Sequence, residues 1–486
     1  MKSSISARIE LHPDRLLPPE PGVRGIARRL YESTADLPIL SPHGHTDPAW
    51  FSRNEPFTDP ASLLVTPDHY LLRLLYSRGI PLESLGVRRA GSDAPGIGPR
   101  EIWRCFATHF HLFRGTPSRL WLEHTLVTVF GLRDQLHEGT ADASFDCIAE
   151  QLARDEFRPR ALLDRFGIEL LATTEAATDE LPHHQALQGT RWARRIVTTF
   201  RPDDVTDPDQ RHFADNIVRL GELTGEDTSR WQGYLAALRI RRRHFRSLGA
   251  TATDHGHPTA RTLDLESAEC ERLFAVCLAG EATPEQREAF RAQMLTEMAA
   301  MSLGDGLVMQ IHPGAWRNHN PKLFKAFGPD RGADIPTPTD FVAALKPLLD
   351  RFGNEPGLTL ILFTLDESAY SRELAPLAGH YPILLLGPPW WFHDSPEGML
   401  RYRQRVTETA GFCNTAGFND DTRAFLSIPA RHDVARRMDA SFLARLVADH
   451  RLAEWEAAEI AGDLACGLAR AAYRLPQPPS TGPGSA

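Results

Sequence analysis

The sequence predicts an α/β fold: a (β/α)8 TIM barrel with a large helical insertion after its first strand. Three observations predict it. Short apolar, β-rich runs bounded by polar or turn residues recur along the chain. Helix-patterned segments separate most of them, and alternating strand and helix is the mark of a parallel sheet covered by helices. The length of 486 residues with 42% hydrophobic content is ample for a large core. Counting strands does not close a barrel, and an open doubly wound sheet is the alternative. No G-x-G-x-x-G follows an early strand, which counts against the dinucleotide-binding version.

An N-terminal segment, 1–36, precedes the first strand, "LPILSPHGH" (37–45), within a first-strand unit spanning 37–48. The stretch 49–165 holds helical patterns such as "HYLLRLLYSRG" and "RLWLEHTLVTVFGL" and reads as an insertion at the barrel mouth. The rest of the barrel occupies 166–474, with strands expected at 168–174, 195–200, 250–254, 306–312, 358–365, 381–387 and 411–418. Helical patterns fill 202–249 and 258–303. "DFVAALKPLLDRFG" (340–353) and "PEGMLRYRQRVTETAG" (396–411) are further helices, the first with a glycine stop. The Pro/Gly/Ser-rich end, 475–486, is expected to be a disordered tail.

Composition narrows the function. The formal net charge is -9, and the densest basic run, "RIRRRHFR" (Arg239 to Arg246), is expected to be a solvated helix face rather than a nucleic-acid surface. Six scattered cysteines form no C-x-x-C pair, so neither a disulfide framework nor a thiolate zinc site is expected. The N-terminus shows no apolar signal core, and no run approaches a membrane span. The expectation is a cytoplasmic protein acting on a small molecule, without nucleic-acid or membrane partners; a homo-oligomer stays open.

The strongest local feature is "HGH". In a strand, residues i and i+2 face one side, so His43 and His45 would project together from the C-terminal end of strand one, where such barrels build their active sites. Two neutral imidazoles suit zinc or another borderline divalent metal; a pair of loop histidines is the alternative. Barrel closure sets strand eight beside strand one, and "GFNDDTRAFLS" there offers Asp420 and Asp421. One carboxylate would complete a His, His, Asp set, while the other could cap a helix. The only lysines are Lys2, Lys322, Lys325 and Lys346, so no lysine near strand four can bridge two metals. One divalent metal, zinc first, is expected.

Eight motifs in order carry a family resemblance: "HGH"; "DHYLLR" (Asp68 to Arg73); "ELPHH" (Glu180 to His184); "FRPD" (Phe200 to Asp203); "TDHG" (Thr253 to Gly256); "VMQIHPGAWRNHN" (Val308 to Asn320); "PWWFHDSPEGML" (Pro389 to Leu400); and "DTRAFLS" (Asp421 to Ser427) followed by "RHD". Together they resemble the glucuronate (uronate) isomerases of the amidohydrolase superfamily, over most of the chain. The resemblance implies a barrel of the amidohydrolase type with one divalent metal. It also implies aldose–ketose isomerisation of hexuronates, D-glucuronate to D-fructuronate and D-galacturonate to D-tagaturonate.

That reaction needs a proton carrier, an electrophile for the developing oxyanion and a grip on the substrate carboxylate. With the resemblance, the metal falls to His43, His45 and Asp421, and the catalytic roles to Asp421, Tyr70 and Arg423. Substrate contacts fall to Arg201, His312, Asp254, Trp390 and Arg423, the guanidinium forks being suited to carboxylates. The family's T-T-D-D-P is "TTEAA" here (Thr173 to Ala177), W-R-P-D has become "FRPD", R-N-N-N has become "RNHN", and Thr46 and Asp47 make the end of "HGHTDP" more polar. A divergent enzyme acting on a different sugar acid or metabolite, as isomerase, hydrolase or decarboxylase, is therefore the alternative. The lack of a histidine in "FTLDES" speaks against a deaminase. A non-catalytic sugar-acid binder is the third reading.

Overall fold

The computed structural model describes residues 8–92 and 96–476. Residues 477–486 of the expected disordered tail lie outside the described part.

Among the described residues, seven parallel strands make the main sheet, in chain order from one edge to the other. They are β1 (Ile39–Ser41), β2 (Ile168–Ala176), β3 (Ile196–Arg201), β4 (Ala252–His255), β5 (Val308–Ile311), β6 (Leu360–Leu362) and β7 (Leu384–Leu386). The strands are short and apolar on both faces because helices cover the outside and side chains fill the inside. Leu40, Leu170, Val197, Ala252, Val308 and Ile361 belong to one buried cluster, whereas Phe200, Met309, Ile311, Leu360 and Leu384 pack with the covering helices.

The eighth strand is a correction. Residues 411–418 form a turn and an irregular stretch with a single parallel bridge, Leu386 to Thr415. Gly411 and Gly417 adopt φ of 69° and 71°, which an extended ladder does not allow. A Cβ on Gly417 would lie 2.7 Å from the Ala469 nitrogen, so the C-terminal helical segment occupies the space where a regular strand would need side chains. The ring is nevertheless completed. The Leu386 amide donates to the Asn414 carbonyl at 2.9 Å, and the His45 amide donates to the Thr422 carbonyl at 3.1 Å. The chain between β7 and β1 thus fills the eighth position as irregular backbone.

Between β1 and β2 the chain is helical, including His69–Ser77 and Pro117–Thr128. The Asp68 carboxylate starts the first of these by accepting from the amides of Tyr70 and Leu71. Thr116 and Pro117 start the second as N-cap and first helical residue. This region encloses its own apolar cluster, with Phe51, Trp103, Phe106, Phe110 and Leu163 buried together. The helix expected at 340–353 spans Val342–Phe352, and that expected at 396–411 spans Pro396–Ala410, capped by Ser395.

The basic run is a second correction. It lies on the helix Trp231–Ser247, but Arg241 and Arg242 face inward. Arg242 is fully buried and holds Asp305 through two hydrogen bonds of 2.6 and 2.9 Å. Arg241 donates to the Ala177 carbonyl at 2.9 Å. Two of the run's five arginines therefore tie this helix to its neighbours, while Arg239, Arg243 and Arg246 face water as expected. Among the described residues no helix is long and apolar enough to cross a membrane.

Candidate active site

A cavity of about 430 Å³ opens at the C-terminal ends of the strands. Its lining includes His43, His45, Tyr70, Arg201, His312, Trp390, Asp421 and Arg423, so every residue expected to form the site except Asp254 lines one cavity. Asp254 is wholly buried beneath it.

The histidines reach the cavity by a different route from the one the sequence suggests. β1 ends at Ser41, so His43 and His45 sit beyond the ladder and strand periodicity does not aim them. Backbone contacts do. The Thr174 hydroxyl donates to the Gly44 carbonyl at 2.9 Å, and the His45 amide is held by Thr422. The two rings meet edge to face, 5.2 Å apart.

Asp421 arrives from the irregular closing segment with φ of 39°, a left-handed conformation that non-glycine residues seldom adopt outside constrained sites. Its Oδ1 lies 3.4 Å from Nε2 of His43 and 3.0 Å from Nε2 of His45. Its Oδ2 accepts from the Trp390 indole. Burial alone would raise its pKa, but the two imidazoles beside it hold the carboxyl well below the usual range. His43, His45 and Asp421 each offer one ligand atom, and those atoms lie within 4.8 Å of one another.

The donor set fits a divalent metal. Oδ1 of Asp421 is buried without a hydrogen bond while facing two ring nitrogens, and two imidazoles with a carboxylate suit zinc, which in catalytic sites keeps a position open. Behind this group the Gln310 amide lies 3.4 Å from Nδ1 of His43, and Tyr473 donates to Gln310 at 2.7 Å. Such partners fix ring orientation.

A second group of charges joins β3, β4 and β5. Arg201 places Nε 2.8 Å from Asp203 and Nη1 3.4 Å from Asp254, while His312 places Nε2 2.8 Å from the other oxygen of Asp254. Burial opposes charge on Asp254, Asp203 and Arg201. His312, His43 and Arg201 nonetheless keep Asp254 well below the carboxylate range, and Asp203 and Asp254 hold Arg201 protonated. Gly256 makes the arrangement feasible: a Cβ there would lie 2.4 Å from Arg201 and 2.7 Å from His312. Asp254 therefore meets the cavity through Arg201 and His312. His255 points elsewhere, toward Thr253 at 3.0 Å.

Trp390 lines the cavity and stands 4.9 Å from the His312 ring. Trp391 lines it as well, under the Arg317 guanidinium at 5.1 Å, so neither tryptophan is simply a core residue. Arg423 pairs with Asp330 at 3.1 Å, and Arg317 with Asp334 at 2.9 Å. Asp420 caps no helix; it pairs with His432 at 3.2 Å in the interior.

Several ionisable cavity residues were not singled out from sequence, among them Glu175, Arg317, Asp330 and Asp394. Arg317 and Asp394 lie inside two of the quoted motifs. Glu175 is the one acid left in "TTEAA". Asp330 has no local signal.

The comparisons agree with this geometry. The family model described as glucuronate isomerase matches residues 23–470. A uronate isomerase of Rhizorhabdus wittichii is 63% identical over 97% of this chain and 100% of its own length. Another, from Phenylobacterium zucineum, is 62% identical over 97% and 98%. The crystal structure of glucuronate isomerase from Caulobacter crescentus superposes with a TM-score of 0.95 at 57% identity, covering 97% of this chain and 98% of that one. With the family's motifs gathered around one cavity and the match running through nearly the whole barrel, the chain belongs to the glucuronate isomerase family.

Proposed function

We propose that the protein interconverts D-glucuronate with D-fructuronate, and D-galacturonate with D-tagaturonate, at the cavity bounded by His43, His45 and Asp421. The observation that carries this is the convergence of a metal-type donor set, an ionised carboxylate and several guanidinium groups on one cavity. His43, His45 and Asp421 would hold one divalent ion, zinc foremost. When bound, it supplies Lewis acidity toward the oxygens of the sugar acid.

The chain's own residues supply the rest. Asp421, fixed by Trp390 and ionised, is placed to carry the carbon-bound proton between C2 and C1. Arg201 stays charged in a half-buried setting beside the buried Asp254, which strengthens its attraction for a carboxylate or an oxyanion. Arg423 offers a second guanidinium, tethered on one side by Asp330. His312, anchored by Asp254, faces a substrate hydroxyl, and Trp390 and Trp391 wall the sugar from water. Six unpaired cysteines support a reducing, cytoplasmic setting.

The test is turnover of each uronate by the zinc-loaded protein in deuterated water, followed by proton NMR. The expected result is a ketose from both sugars with deuterium at the transferred position. No ketose from either, with folded protein and metal bound, would support the divergent enzyme acting on another sugar acid, for which the "TTEAA" corner, with one acid in place of two, is the favouring observation.

A further inference from the structure

We propose that Asp394 is a positioning residue that takes the phenolic proton of Tyr70, so that the two work as a proton relay at the hydroxyl oxygens of the sugar acid. This rests on the isomerase reading above and adds the route of the oxygen-bound proton.

The geometry is specific. The Tyr70 hydroxyl donates to Oδ2 of Asp394 at 2.9 Å, and both residues line the cavity that holds His43, His45 and Asp421. Nη1 of Arg431 donates to the same carboxylate oxygen at 2.8 Å. Arg431 is itself fixed, with Nε 3.2 Å from the Ser427 hydroxyl and its guanidinium 3.7 Å over the Trp121 ring. Oδ1 of Asp394 is buried and has no hydrogen-bond partner. A buried carboxylate with one oxygen doubly bonded and the other idle is costly unless it has a use.

The direction of the Tyr70 bond decides what Tyr70 can do. Its single proton is committed to Asp394, so the phenol oxygen presents lone pairs to the cavity and accepts from a substrate hydroxyl. Burial and the charge of Asp394 hold the phenol neutral, which makes Tyr70 alone a poor base. A neighbour that takes its proton as it gains another removes that obstacle.

The step balances as follows. Loss of the C2 proton to the carbon-directed base leaves an enediolate with its charge on the C1 oxygen. When that base returns the proton to C1, the C1–H bond forms from the carbon–carbon π pair. At the same time the O–H bond at C2 breaks, and its electron pair becomes the second bond of the C2 carbonyl. The released proton moves to the phenol oxygen while the phenolic proton moves to Oδ2 of Asp394. The relay then runs backward and protonates the C1 oxygen, leaving Tyr70 and Asp394 as they began.

The test compares Asp394→Asn, Tyr70→Phe and the double variant with the unmodified chain, reading kcat and KM for D-glucuronate, melting temperature and bound zinc. The relay predicts that each single variant loses about 100-fold in kcat with KM within about threefold. The double variant should be no worse than about threefold below the weaker single, because the pair acts as one unit. Melting temperature and zinc content should stay with the parent. A kcat for Asp394→Asn within about twofold of the parent, or a double variant that loses the product of both factors, would overturn the relay while leaving isomerase activity in place. If Asp394→Asn does not fold, a proton inventory of kcat on the unmodified enzyme decides: a curved dependence on deuterium fraction supports two protons in flight, and a linear one contradicts it. No turnover by the unmodified chain would instead overturn the isomerase reading, and the relay with it.

Discussion

Two groups of polar side chains in the cavity differ in how they are held. His43, His45 and Asp421 have side-chain exposures of 5%, 25% and 14% and crowd around one carboxylate oxygen. Arg423 and Asp330, at 38% and 45%, form an ion pair within reach of solvent. Burial raises the cost of leaving a charge unpaired, while exposed pairs are screened and contribute about 0–1 kcal/mol. The first group is therefore expected to be intolerant of change and the second to be adjustable. A barrel can keep its chemistry in the former while tuning substrate in the latter.

The sharpest way to break this contrast is Asp421→Asn. Removing the carboxylate leaves two imidazoles without their shared anion, so kcat should fall by about 1,000-fold or more and zinc affinity by about 10–100-fold. Steady-state kinetics and chelator competition check both. If Asp421→Asn kept both zinc and turnover, the buried group would not be the metal-binding one. Next in size, Arg201→Met strands Asp203 and Asp254 without their guanidinium partner. Breaking a buried pair costs about 3–5 kcal/mol, which urea unfolding would read, and kcat should fall with it. Smaller again, Asp330→Asn frees Arg423 and should change KM for D-glucuronate by a few-fold with little change in stability.

A separate effect, on the pH dependence of stability, concerns Glu175. Burial raises its pKa to about 7 from 4.5, against the hydrogen bonds of Thr173 and Thr198. A carboxyl raised on folding destabilises the folded state once it ionises. The full stability is present below about pH 4.5 and is lost as pH rises toward 7, by up to about 3 kcal/mol. Glu175→Gln should flatten the pH dependence of unfolding between those values.

How far the sequence discloses this site follows from the range of the interactions. The strand alternation and helix caps are local, so β2 to β7 and the helices at 342–352 and 396–410 fall close to their expected places. The irregular eighth position does not, because what excludes a strand there is the packing of Ala469 against Gly417, 52 residues apart by their numbers. "HGH" identifies His43 and His45, yet the strand argument misplaces the cause, since Thr174 and Thr422 aim them. Asp330 meets Arg423, and Asp394 meets Tyr70, across the fold, and no spacing within the chain signals either contact.

On the proposed reading, one metal is held among His43, His45 and Asp421. Anomalous diffraction at the zinc edge, from crystals of the zinc-loaded protein, tests it most directly. The expected result is a single strong peak about 2.0–2.2 Å from both Nε2 atoms and a carboxylate oxygen of Asp421. A peak bound elsewhere, or no peak at these residues in a protein that still isomerises D-glucuronate, would contradict it.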